Sequence, residues 1–194
     1  MKRAPAALFA LCVSTLVTLV AASPATSATS ATASSTNGGG TAAATRARTR
    51  HATKITVSKS AHEMKLYDGG ELLASYTVSL GPGGAGPKLR EGDRVTPVGS
   101  YHVVWKGPSR FNTFMLLDYP NAEDRARFAR LKANGALPKS ARIGGDVGIH
   151  GGGPVYAKGD EINDWTLGCV SVDDEQIKEV ARLVDVGASV TIED

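Results

Sequence analysis

Two short stretches set the framework of this chain: IHGGG at residues 149–153 and WTLGCVSV at residues 165–172. An apolar run ends at His150 and passes into glycines, while Gly168 and Cys169 form a turn that leads into a second apolar run. Each pattern is typical of a short β-strand that joins a glycine-containing loop. A histidine and a cysteine therefore stand at the ends of two predicted strands, where rigid scaffolds commonly present reactive side chains.

The flanking sequence predicts a mainly β domain. Alternation of apolar and polar residues, or short apolar runs between turn signals, predicts strands at residues 55–58, 64–67, 72–80, 100–105, 114–118, 146–150, 169–172 and 188–192. Asp68 and two glycines after it predict a tight hairpin turn. The strands outnumber the helices, so we expect a mainly β domain that carries two helices.

Two helices are predicted between these strands. Asn121 is a typical N-cap for a helix over residues 121–134, which Gly135 would end. Asp173 and Gln176 have the spacing of a capping box at the start of a second helix. We expect Gly187 to end that helix, ahead of the last strand.

The N-terminal part of the chain has the composition of an export signal and a tether. A short positive region precedes an apolar run, so residues 1–22 are predicted to be a signal peptide. Residues 23–53 are mostly Ala, Ser, Thr and Gly, which bury too little apolar surface to fold. We therefore expect an exported protein with a disordered tether and one folded domain at residues 54–194. An uncleaved anchor is the alternative, but the apolar run is short for a bilayer span.

Composition argues against several function classes. The net charge is only +3, and no basic stripe is interleaved with aromatic residues, so no nucleic-acid partner is expected. The closely spaced ligand pairs of zinc sites are missing, as is the G-x-S-x-G motif of serine hydrolases. We therefore expect no metal ion and no serine nucleophile.

The cysteine content points to thiol chemistry. The chain has two cysteines, and Cys12 lies in the predicted signal peptide, so Cys169 would have no intrachain partner after export. Exported proteins usually pair their cysteines, because their environment is oxidising. A lone exported thiol is a buried apolar residue, a site for an intermolecular disulfide, or a nucleophile.

The residues around Cys169 favour the nucleophile. A free thiol is weakly ionised at neutral pH and needs a base beside it, for which His150 is the best candidate. Gly168 lets the backbone bend, and amides at such a turn can donate to an oxyanion. Thr166 can hold the loop or orient the base. We also expect Trp165 and Tyr156 to border the groove, because the segment between His150 and Cys169 must pass over or beside the thiol.

The motifs taken together resemble those of a known family. The HG at 150–151 and the TLGCV at 166–170 are similar to the HG and [S/T]-x-G-C-[I/V] signatures of the L,D-transpeptidase (YkuD-type) catalytic domain. GPK at 86–88, EGD at 91–93, TPVGSY at 96–101, LDYPN at 117–121 and GGDVGIH at 144–150 extend the resemblance. These matches run from about residue 55 to residue 192, so the resemblance covers the predicted folded domain.

The resemblance implies a YkuD-like fold of the β-sandwich or barrel type. It also implies acyl transfer on peptidoglycan stem peptides outside the membrane, in the periplasm or cell wall. By this resemblance Cys169 would attack the carbonyl after the L-centre of diaminopimelate, release D-alanine and hold a thioester. His150 would be the general base and acid, and the amides around Gly168 and Cys169 would contact the oxyanion. Gly151, Gly152 and Ser171 would contact substrate, although many members carry Arg at the position of Ser171. No cofactor is needed.

The sequence leaves three functions open. The thioester could pass to an amine, which makes the protein a transpeptidase, or to water, which makes it an amidase or carboxypeptidase. A non-catalytic wall-binding module is the third alternative and predicts an unreactive Cys169. We also expect His150→Ala to leave the fold intact, because a histidine at a strand end near solvent supports little core.

Overall fold

The computed structural model describes residues 50–155 and 161–194. The predicted signal peptide and nearly all of the predicted tether lie outside these residues. Strand β1 begins at Ala52, just before the predicted start of the domain at Lys54. Among the described residues, no helix is both long enough and apolar enough to cross a bilayer.

The described residues form a mixed β-sheet and two helices, which confirms the predicted mainly β fold. The elements are β1 (Ala52–Ser58), β2 (Glu63–Asp68), β3 (Glu71–Thr77), β4 (Gly99–Ser109), β5 (Asn112–Leu117), α1 (Ala122–Ala133), β6 (Gly148–His150), β7 (Val170–Ser171), α2 (Asp174–Leu183) and β8 (Val184–Glu193). The strand order is β3-β2-β1-β8-β4-β5-β6-β7. Strand β1 runs parallel to β8 and β6 runs parallel to β7, while the other neighbours are antiparallel.

The sheet curls because the long strand β4 pairs with β8 in one half of the sheet and with β5 in the other. The beginning of β4 pairs with β8, and its later part pairs with β5 after a register shift between Val103 and Trp105. At the other side, Ser79 beyond the end of β3 forms an isolated antiparallel bridge with Ser171 in β7. This single bridge links the two edges of the curled sheet, which agrees with the expected β-sandwich or barrel type of fold.

The hydrophobic core lies inside this curl. Alternate residues of the central strands are fully buried, including Ile55 and Val57 in β1 and Val190 in β8. Helix α2 adds Ile177 and Val180 to the same core. This alternation is what a period-two pattern predicts for strands with one buried face.

Both predicted helix starts are confirmed. The Asn121 side chain accepts hydrogen bonds from the amides of Glu123 and Asp124, and Asp124 completes a capping box. Asp173 and Gln176 form the predicted capping box of α2.

The predicted end of the second helix was wrong. Helix α2 ends at Leu183, and β8 begins at Val184, whose backbone is already extended. Gly187, at φ +97°, lies inside β8. The pairing of β1 with β8 shifts register between Ala52 and Lys54, next to this glycine. The pairing of β8 with β1 therefore overrides the local helix-stop signal. Gly187 instead allows the irregular backbone at the register shift within β8.

Candidate active site

An open cleft of about 1090 Å³ contains both residues singled out from the sequence, Cys169 and His150. Parallel pairing of β6 with β7 places Ile149 opposite Val170 and His150 opposite Ser171. Cys169 therefore lies immediately before β7, and His150 lies at the end of the neighbouring strand. The same cleft is lined by Lys88, Phe111, Phe114, Asp146 and Trp165.

The tautomer of the His150 ring is determined by a hydrogen bond to the next residue in the chain. Its Nδ1 lies 2.6 Å from the carbonyl oxygen of Gly151. A carbonyl only accepts hydrogen bonds, so Nδ1 donates, and a neutral ring then carries its lone pair on Nε2. Burial lowers the pKa of His150, with a smaller opposing effect from the Gly151 carbonyl. The imidazole is therefore held neutral, with one nitrogen available to accept a proton.

His150 is buried among aromatic rings, contrary to the expectation that it lies near solvent. Only 2% of the residue is exposed. Phe111 stacks on it with ring centroids 4.5 Å apart, Phe114 stacks at 5.7 Å, and Trp165 contacts it edge-on at 5.6 Å. These contacts orient the ring, and they make His150 part of the packing as well as of the cleft.

The Cys169 thiol is partly accessible and carries its proton at neutral pH. Burial raises its pKa, while the Gly148 amide and the Lys88 ammonium oppose this rise and the Asp146 charge adds to it. The Sγ atom lies 3.6 Å from the carbonyl oxygen of Asp146, to which it donates. A nucleophilic role therefore requires a base in the cleft, because the free thiol is not acidic enough to ionise alone.

Thr166 holds the turn that carries Cys169. Its hydroxyl donates to the Cys169 carbonyl oxygen at 2.8 Å and accepts from the Gly168 amide at 3.2 Å. This agrees with one of the two roles predicted for it, that of holding the loop.

The predicted role of Gly168 as an oxyanion donor conflicts with this geometry, because its amide already has an acceptor in Thr166. Gly168 is needed for its conformation instead. Its φ is +129°, and a Cβ added there would lie 2.7 Å from the Val95 carbonyl oxygen. Both features exclude a side chain at this position.

The glycines after His150 build the loop and do not line the cleft. The Gly151 amide donates to the Phe111 carbonyl oxygen, and a Cβ at Gly151 would lie 2.7 Å from Asp174 Oδ1. The Gly152 amide donates to Asp174 Oδ1 at 2.8 Å, and Gly152 packs on Phe111. The predicted substrate contacts of both glycines are therefore not supported, since close packing is what excludes side chains there.

The prediction that Ser171 contacts substrate was also wrong. It is fully buried, and its hydroxyl donates to the Val172 carbonyl oxygen, so it cannot contact a substrate. Trp165 does line the cleft, as expected. Tyr156 lies outside the described residues.

Several residues of the site were not singled out from the sequence. Phe111 and Phe114 enclose His150, Asp174 holds the glycine loop, and Lys88 places a buried cation on the cleft wall. Only Lys88 had a sequence signal, as part of the GPK motif. Within residues 50–155 and 161–194, no group of three or more His, Cys, Asp or Glu side chains could hold a metal ion.

The L,D-transpeptidase catalytic domain family, YkuD, matches residues 52–192. The chain belongs to this family. The match runs from the first residue of β1 to the last but one of β8, and it includes both Cys169 and His150. No match was found among curated proteins.

Several solved structures are similar to this chain, and the first of those described here has the same fold. The helical cell shape determining protein Pgp2 of Campylobacter jejuni is 21% identical, with a TM-score of 0.54 over 75% of this chain and 48% of that one. Bd1075 of Bdellovibrio bacteriovorus is 18% identical, with a TM-score of 0.49 over 75% and 49%. L,D-transpeptidase 1 of Mycobacterium tuberculosis is 15% identical, with a TM-score of 0.44 over 74% and 62%. The chain spans about half the length of the first two structures.

The partial burial of Cys169 leads to a prediction about its reactivity. Alkylation of Cys169 by iodoacetamide is expected to increase with pH through a midpoint above that of an ordinary cysteine, because burial raises the pKa of the thiol. The rate should be measured from pH 6 to pH 11 by mass spectrometry of the Cys169 peptide. The same chain in denaturant provides the reference midpoint. A folded-state midpoint at or below the denatured one would contradict the prediction.

Proposed function

We propose that this protein is an exported cysteine acyltransferase that remodels peptidoglycan stem peptides through a thioester on Cys169. The observation that carries the proposal is the shared cleft of Cys169 and a neutral His150, whose Nδ1 proton is directed to the Gly151 carbonyl oxygen. This leaves Nε2 as the acceptor for the thiol proton. Family membership supplies the substrate class, because L,D-transpeptidase domains act on peptidoglycan.

The first half of the reaction forms the thioester. His150 Nε2 takes the thiol proton as the sulfur attacks the carbonyl carbon of a stem-peptide amide bond. The resulting oxyanion collapses, the C–N bond breaks, and the leaving amine takes the proton from the imidazolium. Since the Gly168 amide is already engaged by Thr166, we assign the oxyanion contact at this turn to the Cys169 amide.

The second half transfers the acyl group. An acceptor amine gives a proton to His150 Nε2 and attacks the thioester carbon. The C–S bond breaks, and the departing sulfur recovers its proton from the imidazolium. One amide bond is exchanged for another, and neither a cofactor nor an external redox partner is consumed.

The electrostatics of the site suit both proton transfers. A buried imidazole with a lowered pKa is neutral at physiological pH and can act as a base. Once protonated in the same environment, it readily returns the proton to the leaving amine. The resting thiol stays protonated, which limits its oxidation outside the cell.

Location outside the membrane is part of the proposal. Peptidoglycan lies outside the cytoplasmic membrane, and residues 1–22 have the composition of an export signal. Residues 23–53 would then connect the catalytic domain to its point of release or attachment.

The decisive test is the product formed from purified disaccharide-tetrapeptides. The protein is expected to give cross-linked dimers and free D-alanine, and Cys169→Ala is expected to give neither. Mass spectrometry of the digest distinguishes the products. Shortened monomers without dimers would assign the protein to the hydrolases, an outcome that the open, water-accessible cleft makes physically reasonable.

A second measurement separates both enzymes from a wall-binding module. A carbapenem acylates a reactive thiol, so the intact protein should gain the mass of one adduct that Cys169→Ala lacks. An unmodified wild-type protein, together with no product from tetrapeptides, would leave wall binding as the surviving function.

A further inference from the structure

Lys88 is a buried cation in the wall of the cleft. Only 4% of its side chain is exposed, and its Nζ lies 2.5 Å from Asp93 Oδ1. Lysine is strongly hydrated and is rarely buried unless it is paired. Asp93 supplies that pairing, and what distinguishes Lys88 is its position in the wall of the cleft that contains Cys169.

Asp93 fixes the ammonium in place. Its carboxylate also accepts hydrogen bonds from the amides of Leu89, Arg90 and Val95. Burial favours protonation of Asp93, but Lys88 and these amides outweigh it and hold the pKa of the carboxyl below its usual value. The loop thus holds a permanent anion that orients Lys88.

The ammonium lies directly against the turn that carries Cys169. Its Nζ is 3.4 Å from the position that a Cβ would occupy on Gly168. Lys88 and Cys169 both line the cleft. Asp93 is the one hydrogen-bond acceptor of Lys88 Nζ among the described residues, and an ammonium has three donors. Positive charge therefore remains available on the cleft side.

We propose that Lys88 is an electrostatic positioning residue of the thiol site, whose fixed ammonium stabilises negative charge on the Cys169 sulfur. The proposal rests on the proposed function only in taking Cys169 as the nucleophile. Its consequence, easier ionisation of the thiol, can be measured without any acyl substrate.

The effect of Lys88 on the ionisation of Cys169 has to be compared with the effects of the other groups around the thiol. Burial is the main reason that the pKa of Cys169 is raised; the Gly148 amide and Lys88 lower it, and Asp146 raises it. His150 is neutral. The remaining charged residues that line the cleft are Glu91 and Arg142, which pair with each other at 2.8 Å, and Arg110. Lys88 is thus the cation that offsets part of the burial penalty.

The test is the pH dependence of iodoacetamide alkylation in the full chain carrying Cys12→Ser, which leaves Cys169 as the single thiol. Lys88→Met is expected to move the alkylation midpoint upward by about one pH unit, so that thiolate at neutral pH falls about tenfold. Lys88→Arg retains the charge and should restore most of the reactivity.

Lys59 provides a matched control. Its side chain is 7% exposed and pairs with Asp194 at 2.7 Å, but it lines a different pocket. Lys59→Met should therefore lower thermal stability in the way that Lys88→Met does, without moving the midpoint. Asp146→Asn should shift the midpoint downward, and asparagine suits the φ of +54° at this position.

A folded Lys88→Met variant with an unchanged alkylation profile would overturn the proposal and leave Lys88 a purely structural residue. If Lys88→Met does not fold, Lys88→Gln is the deciding variant, because it keeps a donor to Asp93 without the charge. Failure of both to fold also assigns Lys88 to structure. A shifted midpoint in a protein that gives no product from tetrapeptides would refute the proposed function and retain this inference.

Discussion

His150→Ala is expected to lose acyl transfer and stability together, whereas His150→Phe is expected to lose acyl transfer alone. Either change removes the base, which should slow carbapenem acylation of Cys169 by about 10²- to 10⁴-fold. Alanine also leaves a cavity between Phe111, Phe114 and Trp165, at a cost of about 1–3 kcal/mol in the free energy of unfolding. Phenylalanine refills that space.

Adduct formation and thermal unfolding should be measured on the same samples. Cys169→Ala is the control for background acylation, and its stability should stay close to wild type because the thiol is partly exposed. Wild-type acylation rates in His150→Phe would remove His150 from the mechanism. Equal stability of the alanine and phenylalanine variants would show that the ring contributes nothing to packing.

Gly81→Ala is expected to disrupt both the fold around the cleft and the reactivity of Cys169. A Cβ at Gly81 would overlap the carbonyl oxygen of Arg94 and lie 3.0 Å from the Gly168 amide nitrogen. Both neighbours are backbone, so relief requires the loop segments around Gly81, Arg94 and Gly168 to move apart. We expect a loss of about 3 kcal/mol in the free energy of unfolding. Displacement of Gly168 should also lower the acylation rate.

Gly145→Ala is the matched control, because Gly145 lines the same cleft and a Cβ there meets nothing within 4 Å. Denaturant unfolding and carbapenem acylation of the two variants give a direct comparison. Near-native stability in Gly81→Ala would mean that the backbone between Arg94 and Gly168 is far more compliant than its packing indicates.

The local signals in the sequence were reliable where the structure depends on near neighbours. Asn121 and Asp173 cap their helices as predicted, because a cap is formed within one helical turn. The hairpin through Gly69 and Gly70 forms for the same reason, since a positive φ at these positions suits glycine. The prediction that Gly187 ends the second helix was wrong, because the backbone of β8 is determined by pairing with β1, which is distant in sequence.

The sequence predicted the reactive residues of the candidate site, but it did not predict the contacts around them. The sequence pointed to Cys169 and His150, and the structure places both on one cleft. It could not show that the Gly168 amide is already bound or that Ser171 is sealed in the sheet. The burial of Ser171 depends on a segment distant in sequence, since Ser171 bridges to Ser79 beyond β3. The bond of the Gly168 amide is local, to Thr166 two residues earlier, and depends on how that hydroxyl is oriented in the folded turn.

The sequence by itself determined the family, the mainly β fold with two helices, and the thiol and imidazole available for chemistry. These features depend on motifs, on alternation of apolar and polar residues and on helix caps, all of which involve residues close together in the chain. Only the tertiary structure decided which groups surround them. The stack of Phe111 on His150 and the ammonium of Lys88 behind Gly168 arise when the sheet curls. The burial that results sets the protonation of the pair, because desolvation depends on the whole enclosing fold and not on local sequence.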